Sequence, residues 1–141
     1  MKFNKLVPEL AMSDYQKSLQ FYTEVLGFEI KYQRPERGFA FLEFEGAQIM
    51  IEQYNGTWNT GKLEHPFGRG INFQFGVRNA KKLYDRIVAA GHPIFREMEE
   101  YAYRKDDVML TGKEFLVQDP DGYLLRFSQS GKTVPVEGGK K

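Results

Sequence analysis

Apolar and polar positions change their period along the chain in the same order twice. Two short segments, "KLVPELAM" (5–12) and "RGINFQFG" (69–76), each have the character of a short strand. Each strand is followed by a segment with apolar residues every three or four positions, which predicts an amphipathic helix. The predicted helices end at Gly27 and Gly91, 64 positions apart (91 minus 27). This recurrence indicates an internal repeat.

The predicted helices bury one stripe of side chains each. Ser13 and Gln16 have the spacing of a capping box and predict the start of the first helix. Since residues three and four positions apart share a helix face, each stripe packs against a sheet. The stripes consist of Tyr15, Leu19, Tyr22 and Leu26 in the first helix, and of Ala80, Leu83, Ile87 and Ala90 in the second.

Strand-like segments follow each helix. The stretches "FLEFEGAQIMIEQ" (41–53) and "FLVQDPDGYLLRF" (115–127) align without a gap at an offset of 74 (115 minus 41), which pairs Glu52 with Arg126. The ten extra residues (74 minus 64) then lie in "REMEEYAYRKDDVMLTGK". Each half therefore consists of a strand, a helix and about three strands. The sequence predicts an α+β fold of two βαβββ modules around a shared cleft; because identities are few, chance similarity is the alternative.

Length and composition place these modules in one domain. At 141 residues, we expect a single domain at 1–130 with modules at about 3–55 and 69–129, and a flexible Gly-rich tail at 131–141. The 20 basic and 19 acidic residues give a net charge of +1, which argues against a nucleic-acid binder. The chain has no Cys, no apolar segment near ~20 residues and no signal-like start, so we expect a soluble cytoplasmic protein without a membrane partner.

Two motifs resemble a known family. The phrase "SLQFYTEVLGFEI", the closing "DPDGYLLRF" and the paired βαβββ modules resemble the vicinal oxygen chelate superfamily over residues 3–129. This superfamily includes glyoxalase I, extradiol dioxygenases, fosfomycin-modifying enzymes and bleomycin-resistance proteins. The resemblance implies the fold, whereas function has to be argued from the site.

Enzymes of that superfamily hold a divalent metal with four side chains. The resemblance places those four positions at Val7, Glu52, Ile71 and Arg126. Only a carboxylate among them can bind a metal, because Val and Ile have no lone pair and Arg is always charged. The two His residues, His65 and His92, both precede a proline in loop-like sequence. We therefore predict no metal, no cofactor and no catalytic residue.

The metal-free members that the sequence most resembles are the bleomycin-resistance proteins. The similarity lies in "PELAMSDYQKSLQFYTEVLGF", in "GAQIMIEQY" and in the Arg that follows Leu-Leu at position 126. It implies a homodimer with exchanged N-terminal segments, and drug sequestration in clefts between subunits without chemistry. We predict a metal-independent, drug-binding protein of the antibiotic-resistance type whose ligand is a bleomycin-like glycopeptide or an unknown metabolite.

Aromatic and charged residues are the candidates for contacting a flat, partly cationic ligand. They are Phe39, Phe41, Glu52, Tyr54, Trp58, Tyr101, Tyr103, Thr111 and Arg126. Core packing is the alternative for the two Phe residues and capping of the core for Tyr101 and Tyr103. Glu52 and Arg126 form either a ligand anchor, a structural ion pair, or two separately solvated side chains. Bleomycin itself is disfavoured, since Thr111 stands where its binders place a stacking Trp and the chain is not acidic.

Two other functions stay open at this point. A lyase, isomerase or dioxygenase acting on an oxygen-rich small molecule would need Glu52 to be joined by Glu9, His65 or Gln74, or Glu9 and Glu52 to act as acid and base without metal. A structural or regulatory dimer has no positive feature in the sequence. A chelator-sensitive activity would exclude the binding protein.

Overall fold

The computed structural model describes residues 1–136 and divides into two compact units. Unit 1 comprises Met1–Ile71 together with Gln118–Leu124, and unit 2 comprises Asn72–Val117 and the chain from Leu125 onward. The division differs from the predicted modules because the "QDPDGYL" turn belongs to unit 1. Within residues 1–136, no helix is long and apolar enough to cross a membrane.

Unit 1 is a four-stranded mixed sheet with one helix. Its elements are β1 (Glu9–Met12), α1 (Tyr15–Gln20) continued by a π-helical segment (Phe21–Leu26), β2 (Glu29–Arg34), a 3₁₀ turn (Pro35–Arg37), β3 (Phe39–Phe44) and β4 (Ala47–Gln53). The strand order is β1-β4-β3-β2, with β1 parallel to β4 and the other neighbours antiparallel. This is the predicted βαβββ arrangement.

Unit 2 repeats the arrangement with longer strands. Its elements are β5 (Asn72–Gly76), α2 (Ala80–Ala89), β6 (Arg96–Lys105), β7 (Val108–Gln118) and β8 (Leu124–Pro135), in the sheet order β5-β8-β7-β6. The α+β fold of two βαβββ units is confirmed. The predicted insertion lengthens the β6–β7 hairpin, in which Lys105 pairs with Val108. The predicted tail starts inside β8, which continues to Pro135, and its last five residues (137–141) lie outside the described chain.

The two helices begin in the same way. Asp14 and Asn79 are the N-cap residues, with nearly identical extended backbones (φ −139° and −142°), and their side chains accept from the N–H of Lys17 and Lys82. The predicted capping box is wrong, since Asp14 rather than Ser13 caps α1. The predicted stripes are buried at Tyr15, Tyr22, Leu26, Ala80, Leu83 and Ile87, but Leu19 is half-buried, Ala90 is exposed, and Ser18 is buried instead.

The π-helical segment shifts the repeat by one residue. The N-caps lie 65 positions apart (79 minus 14), whereas the left-handed glycines that end the helices, Gly27 and Gly91, lie 64 apart. A π turn accommodates one extra residue within a helix, and the N–H of Gly27 bonds the carbonyl of Tyr22, five residues earlier. The counterpart of Val7 is therefore Asn72 and not Ile71.

The later strands also pair with a different offset from the predicted 74. Gln53 and Gln129 have the same structural role. Each side-chain oxygen accepts a hydrogen bond from the backbone N–H of the first helical residue of its unit, Tyr15 at 2.9 Å and Ala80 at 2.8 Å. The two Gln residues are 76 positions apart (129 minus 53). Two glycines with positive φ, Gly46 (89°) and Gly122 (97°), have the same spacing (122 minus 46). The structural counterpart of Glu52 is consequently Ser128, so the predicted equivalence of Glu52 and Arg126 is corrected by two residues.

Candidate functional site

The nine predicted ligand-binding residues separate into three groups. Glu52, Tyr54 and Trp58 line a cleft of unit 1, which we call the acidic cleft and which Glu9 also lines. Tyr101, Tyr103, Thr111 and Arg126 line a groove of unit 2, the arginine groove. Phe39 and Phe41 lie in the core of unit 1. The predicted pairing of Glu52 with Arg126 would join the two units and stays a prediction.

Parallel pairing of β1 with β4 places the two carboxylates of the acidic cleft on one face. Ala11 is in register with Glu52, and Glu9 precedes Ala11 by two residues, so all three side chains point the same way. Glu52 is nearly buried, with its side chain 10% exposed, and its Oε2 lies 3.7 Å from Nε of Arg37. The sequence had not identified Arg37, whose only signal was its place in the "PERG" turn before β3.

The cleft disfavours a second negative charge. Burial raises the pKa of Glu9 above its ordinary value, the carboxylate of Glu52 raises that pKa further, and Arg37 opposes both effects. Two neighbouring carboxyl groups of this kind are ionised together more easily when a cation lies between them. The electrostatics of the cleft therefore favour a positively charged ligand group.

The aromatic wall of the cleft stands on the loop that follows β4. Trp58 is 74% exposed and Tyr54 is 42% exposed, and Tyr54 is anchored by its backbone N–H to the carbonyl of Met12 at 2.8 Å. Asn side chains order the loop, because Asn55 accepts the N–H of Thr57 at 2.9 Å and Asn59 donates to the Tyr54 hydroxyl at 3.2 Å. The cleft holds about 180 Å³, far more than the ~15 Å³ that one water needs.

Phe39 and Phe41 do not line either cleft. Their exposures are 4% and 2%, and the ring of Phe41 stacks on Tyr32 at a centroid distance of 5.2 Å. Phe3 packs edge-on against Phe41 at 5.4 Å, and the guanidinium of Arg34 lies 4.8 Å from the centre of the Phe39 ring. These contacts replace the predicted ligand-binding role with a packing role, which was the alternative drawn from the sequence.

The arginine groove contains a fixed ion pair. Nε of Arg126 donates to Oε1 of Glu114 at 2.9 Å, and the hydroxyl of Tyr103 donates to Oε2 of Glu114 at 3.0 Å. The rings of Tyr101 and Tyr103 stack at 4.9 Å with an interplanar angle of 16°. Thr111 is a predicted ligand-binding residue at the position where bleomycin-binding relatives have a stacking Trp, and its hydroxyl donates to the carbonyl of Lys132. Glu114, the partner of Arg126, was missed because it is an ordinary Glu in an apolar strand.

The "DPDG" turn is a buried polar anchor of unit 1. The hydroxyl of fully buried Tyr22 donates to Asp119 Oδ2 at 2.7 Å, and burial raises the pKa of Asp119 to about 6. Asp121 accepts from the backbone N–H of Ser13 at 2.9 Å and from its hydroxyl, and His65 Nε2 lies 2.8 Å from Asp121 Oδ1. The turn therefore holds the start of α1 and the loop around His65 together.

The four positions inherited from metal enzymes hold one carboxylate after correction. Glu52 offers that carboxylate, Asn72 offers an amide oxygen, and Ser128, which replaces Arg126 as the counterpart of Glu52, offers a hydroxyl already bonded to Tyr101, while Val7 offers none. Among residues 1–136 no group of three or more His, Cys, Asp or Glu side chains is arranged to hold a metal ion. The donor set thus fits a catalytic metal poorly, because such a site uses three ligands drawn from His, Cys, Asp and Glu, and these positions supply one.

The family follows from the sequence as a whole. The model of the Glyoxalase/Bleomycin resistance protein/Dioxygenase superfamily matches residues 3–127. The chain belongs to this superfamily. It is 30% identical over 130 residues to a probable lactoylglutathione lyase of Vibrio parahaemolyticus, covering 86% of each chain. It is also 27% identical over 138 residues to a bleomycin resistance protein of Geobacillus stearothermophilus, covering 90% of this chain and 97% of that one.

Solved structures support the same fold. The crystal structure of TioX from Micromonospora sp. ML1 matches with a TM-score of 0.70 and 20% identity, covering 90% of this chain and 98% of TioX. At that identity the similarity establishes the glyoxalase/bleomycin-resistance fold alone. The choice between a binding protein and an enzyme of the superfamily therefore depends on the site.

Proposed function

We propose that the protein binds a flat, partly cationic small molecule in the acidic cleft of unit 1 without a metal. The observation that carries this proposal is the convergence of the Glu9 and Glu52 carboxylates and the exposed Trp58 ring on one cleft. An indole face stacks on planar groups and attracts cations, and the carboxylates favour positive charge. The poor metal donor set agrees with a ligand held by these groups.

The relative named bleomycin resistance protein suggests a ligand to test. Bleomycin combines a flat bithiazole with a cationic tail, which is the chemistry that the cleft favours. Thr111 and the net charge of +1 speak against bleomycin as the natural ligand. The proposal therefore concerns the class of ligand, including a role in antibiotic resistance, and bleomycin serves as a probe.

The first experiment is a calorimetric titration of metal-free bleomycin into chelator-treated protein, with fluorescence followed in parallel. Trp58 is the chain's one Trp, so quenching reports on the acidic cleft. We expect micromolar affinity or better, near one ligand per chain, and about fivefold weaker binding in Trp58→Ala, since stacking contributes ~1 kcal/mol. Equal affinity in wild type and Trp58→Ala would place the ligand elsewhere. No heat and no quench would exclude this drug.

The carboxylates have a matched control. Glu52→Gln removes a charge that lines the cleft, whereas Glu36→Gln removes one from the exposed 3₁₀ turn of the same unit. Only the first variant is expected to weaken binding of a cationic ligand. Because the pKa of Glu9 is raised, acidification protonates it early, so affinity should fall as the pH drops. Equal effects of the two variants would contradict the proposal.

A lyase is the second candidate, because relatives including the Vibrio parahaemolyticus protein carry the name lactoylglutathione lyase. Glu52 is the one carboxylate at the four inherited metal positions. Lactoylglutathione lyase activity should be assayed after expression in metal-supplemented medium, with and without chelator. Turnover that chelator removes, together with stoichiometric bound metal, would support the enzyme over the binding protein.

We further propose that the protein acts as a homodimer in the cytoplasm. The N-terminal segment carries exposed apolar side chains, with Met1 at 60%, Phe3 at 57% and Leu6 at 82%. Exposed apolar surface of this kind favours a protein partner. Light scattering after size exclusion would give the mass, for which 16.4 kDa per chain is the monomer value.

A further inference from the structure

The arginine groove lies entirely on unit 2 and draws on all four of its strands. Gln74 comes from β5, Tyr101 and Tyr103 from β6, Thr111 from β7 and Arg126 from β8. The groove holds about 270 Å³. Since pockets for drug-sized ligands measure ~300 Å³ or more, a groove just below that limit suits a compact ligand of one or two rings.

Gly112 explains why two tyrosine rings lie in this groove. It pairs with Tyr101 across the β6–β7 ladder, and a Cβ at position 112 would come within 2.6 Å of Cζ of Tyr101. The missing side chain therefore lets the Tyr101 ring cross β7 and reach the hydroxyl of Ser128, which donates to it at 3.1 Å. Tyr103 stacks on Tyr101 and is 47% exposed, so the pair presents an aromatic surface to solvent.

The residues that line the groove carry a positive charge. Among the lining residues of the described chain, Arg126 alone is charged, and its side chain is 26% exposed. Its partner Glu114 is 8% exposed and lies outside the lining, with both carboxylate oxygens engaged by Arg126 and Tyr103. The contact to Glu114 uses Nε, one of the five N–H donors of a guanidinium, and it holds the group 5.9 Å from the Tyr103 ring centre.

The hydroxyl of Tyr101 is a second polar group that lines the groove with Arg126. The Tyr101 oxygen accepts from Ser128, which leaves the phenolic proton of Tyr101 for an acceptor on a ligand. A guanidinium and a phenolic O–H that line one groove can both donate to the oxygens of a carboxylate, and charge-assisted bonds of this type are the stronger ones. Together with the tyrosine stack, this arrangement fits a ring that bears an anionic oxygen group.

We propose that the arginine groove is a second binding site, which takes a planar aromatic carboxylate. The carboxylate bonds the guanidinium of Arg126 and the hydroxyl of Tyr101, and the ring lies against Tyr103. The residues that line this site, and the charge of the ligand that they favour, differ from those of the acidic cleft. One chain thus binds a cationic ligand in unit 1 and an anionic one in unit 2.

The test is an NMR titration of the full chain, labelled with ¹⁵N, with sodium benzoate as the probe. We expect amide shifts centred on Gly112 and Gly131, and none at Gly56 and Gly61 beside the acidic cleft. Benzamide lacks the charge and cyclohexanecarboxylate lacks the flat ring, so both should bind at least about fivefold more weakly. Shifts centred on the acidic cleft, or no saturable shifts up to high millimolar benzoate, would overturn the site.

Three variants test the named contacts. Arg126→Gln should weaken benzoate about tenfold, while Arg104→Gln, on the exposed face of β6, should leave its affinity unchanged. Arg126→Lys keeps the positive charge beside Glu114 and replaces Arg126→Gln as the test if the latter variant unfolds. The Lys variant should retain part of the affinity for benzoate. Tyr101→Phe removes the donated proton and should weaken binding severalfold. Unchanged affinity in both Arg126 variants would overturn the proposal, whatever the outcome for bleomycin at the acidic cleft.

Discussion

Unit 1 and unit 2 share their order of elements and their strand order, but they use their polar residues differently. In unit 1 the exposed Glu45–Gly46 pair forms the turn between β3 and β4. The buried polar groups of this unit include Asp119 and Asp121. In unit 2 the longer β6–β7 hairpin carries the tyrosine stack. The repeated apolar pattern thus determines topology, whereas hairpin length and a few polar substitutions determine what each unit can bind.

The largest expected effect comes from truncating the helix residue that faces each core. Tyr22 and Ile87 are counterparts at the N-cap offset of 65, and both are 0% exposed. Tyr22→Ala should cost ~4–5 kcal/mol of unfolding free energy, because it leaves a cavity and deprives Asp119 of a hydrogen bond. Ile87→Ala should cost ~2–4 kcal/mol. Urea unfolding measures both costs, and a cost of Tyr22→Ala no larger than that of Ile87→Ala would contradict this prediction.

The pH dependence of stability tests Asp119, and Glu43, its counterpart at the strand offset of 76, provides the matched variant. The pKa of Asp119 is raised to about 6 in the folded chain, above the unfolded value near ~3.9. Its contribution is therefore complete below pH ~4 and is lost as the pH rises through about 6, by up to ~3 kcal/mol. Asp119→Asn should remove this slope in urea unfolding, and Glu43→Gln should keep it. An unchanged slope in Asp119→Asn would refute the assignment.

A smaller effect separates two strand glycines of unit 2. Gly112→Ala should cost ~1–3 kcal/mol, because the new Cβ meets the Tyr101 ring and the carbonyl of Gln129. Gly76→Ala should change stability by less than ~0.5 kcal/mol, since nothing lies within 4 Å of its Cβ position. Thermal unfolding compares the two variants. A harmless Gly112→Ala would mean that Tyr101 does not lie across β7.

The smallest effect tests the equivalence of the units directly. Asp14→Ala and Asn79→Ala each remove a side-chain acceptor at a helix start, and each should cost ~1 kcal/mol. The two costs should agree within ~0.5 kcal/mol in urea unfolding, while Lys17→Ala serves as an exposed control on the first turn of α1. A cap that contributes nothing in one unit would limit the equivalence to topology.

The fold was predictable because strand and helix periods recur twice, and the topology needs little more than that. The offset between equivalent residues of the two units was not predictable. The π-helical segment at Phe21–Leu26 adds one residue to the first helix without changing its apolar stripe. Alignment of the glycines at the helix ends therefore assigned Ile71 in place of Asn72. The predicted strand offset was wrong for a similar reason: "FLEF" and "FLVQ" both begin with Phe-Leu, whereas Gln53 and Gln129 set the register.

The sequence predicted individual residues of the candidate sites but not which of them lie together in the structure. Trp58 and Tyr54 stand out because aromatic side chains are uncommon in a polar loop, and both line the acidic cleft. Phe39 and Phe41 have the same composition signal, yet burial against Tyr32 removes them from the surface. Arg37 and Glu114 escaped notice because an ion-pair partner is defined by proximity in space, which a single sequence does not contain.

The "DPDG" turn has a consequence for how such a chain can be divided. Asp119 and Asp121 come late in the sequence but belong to unit 1, where Tyr22 and Ser13 bond them. A gene fragment that stops at Ile71 would encode every strand and the helix of unit 1 and still lack both acceptors. We expect that a half-length ancestor needed a second copy of itself to supply the equivalent turn. Duplication and fusion would then have placed in one chain a contact that two separate chains had made before.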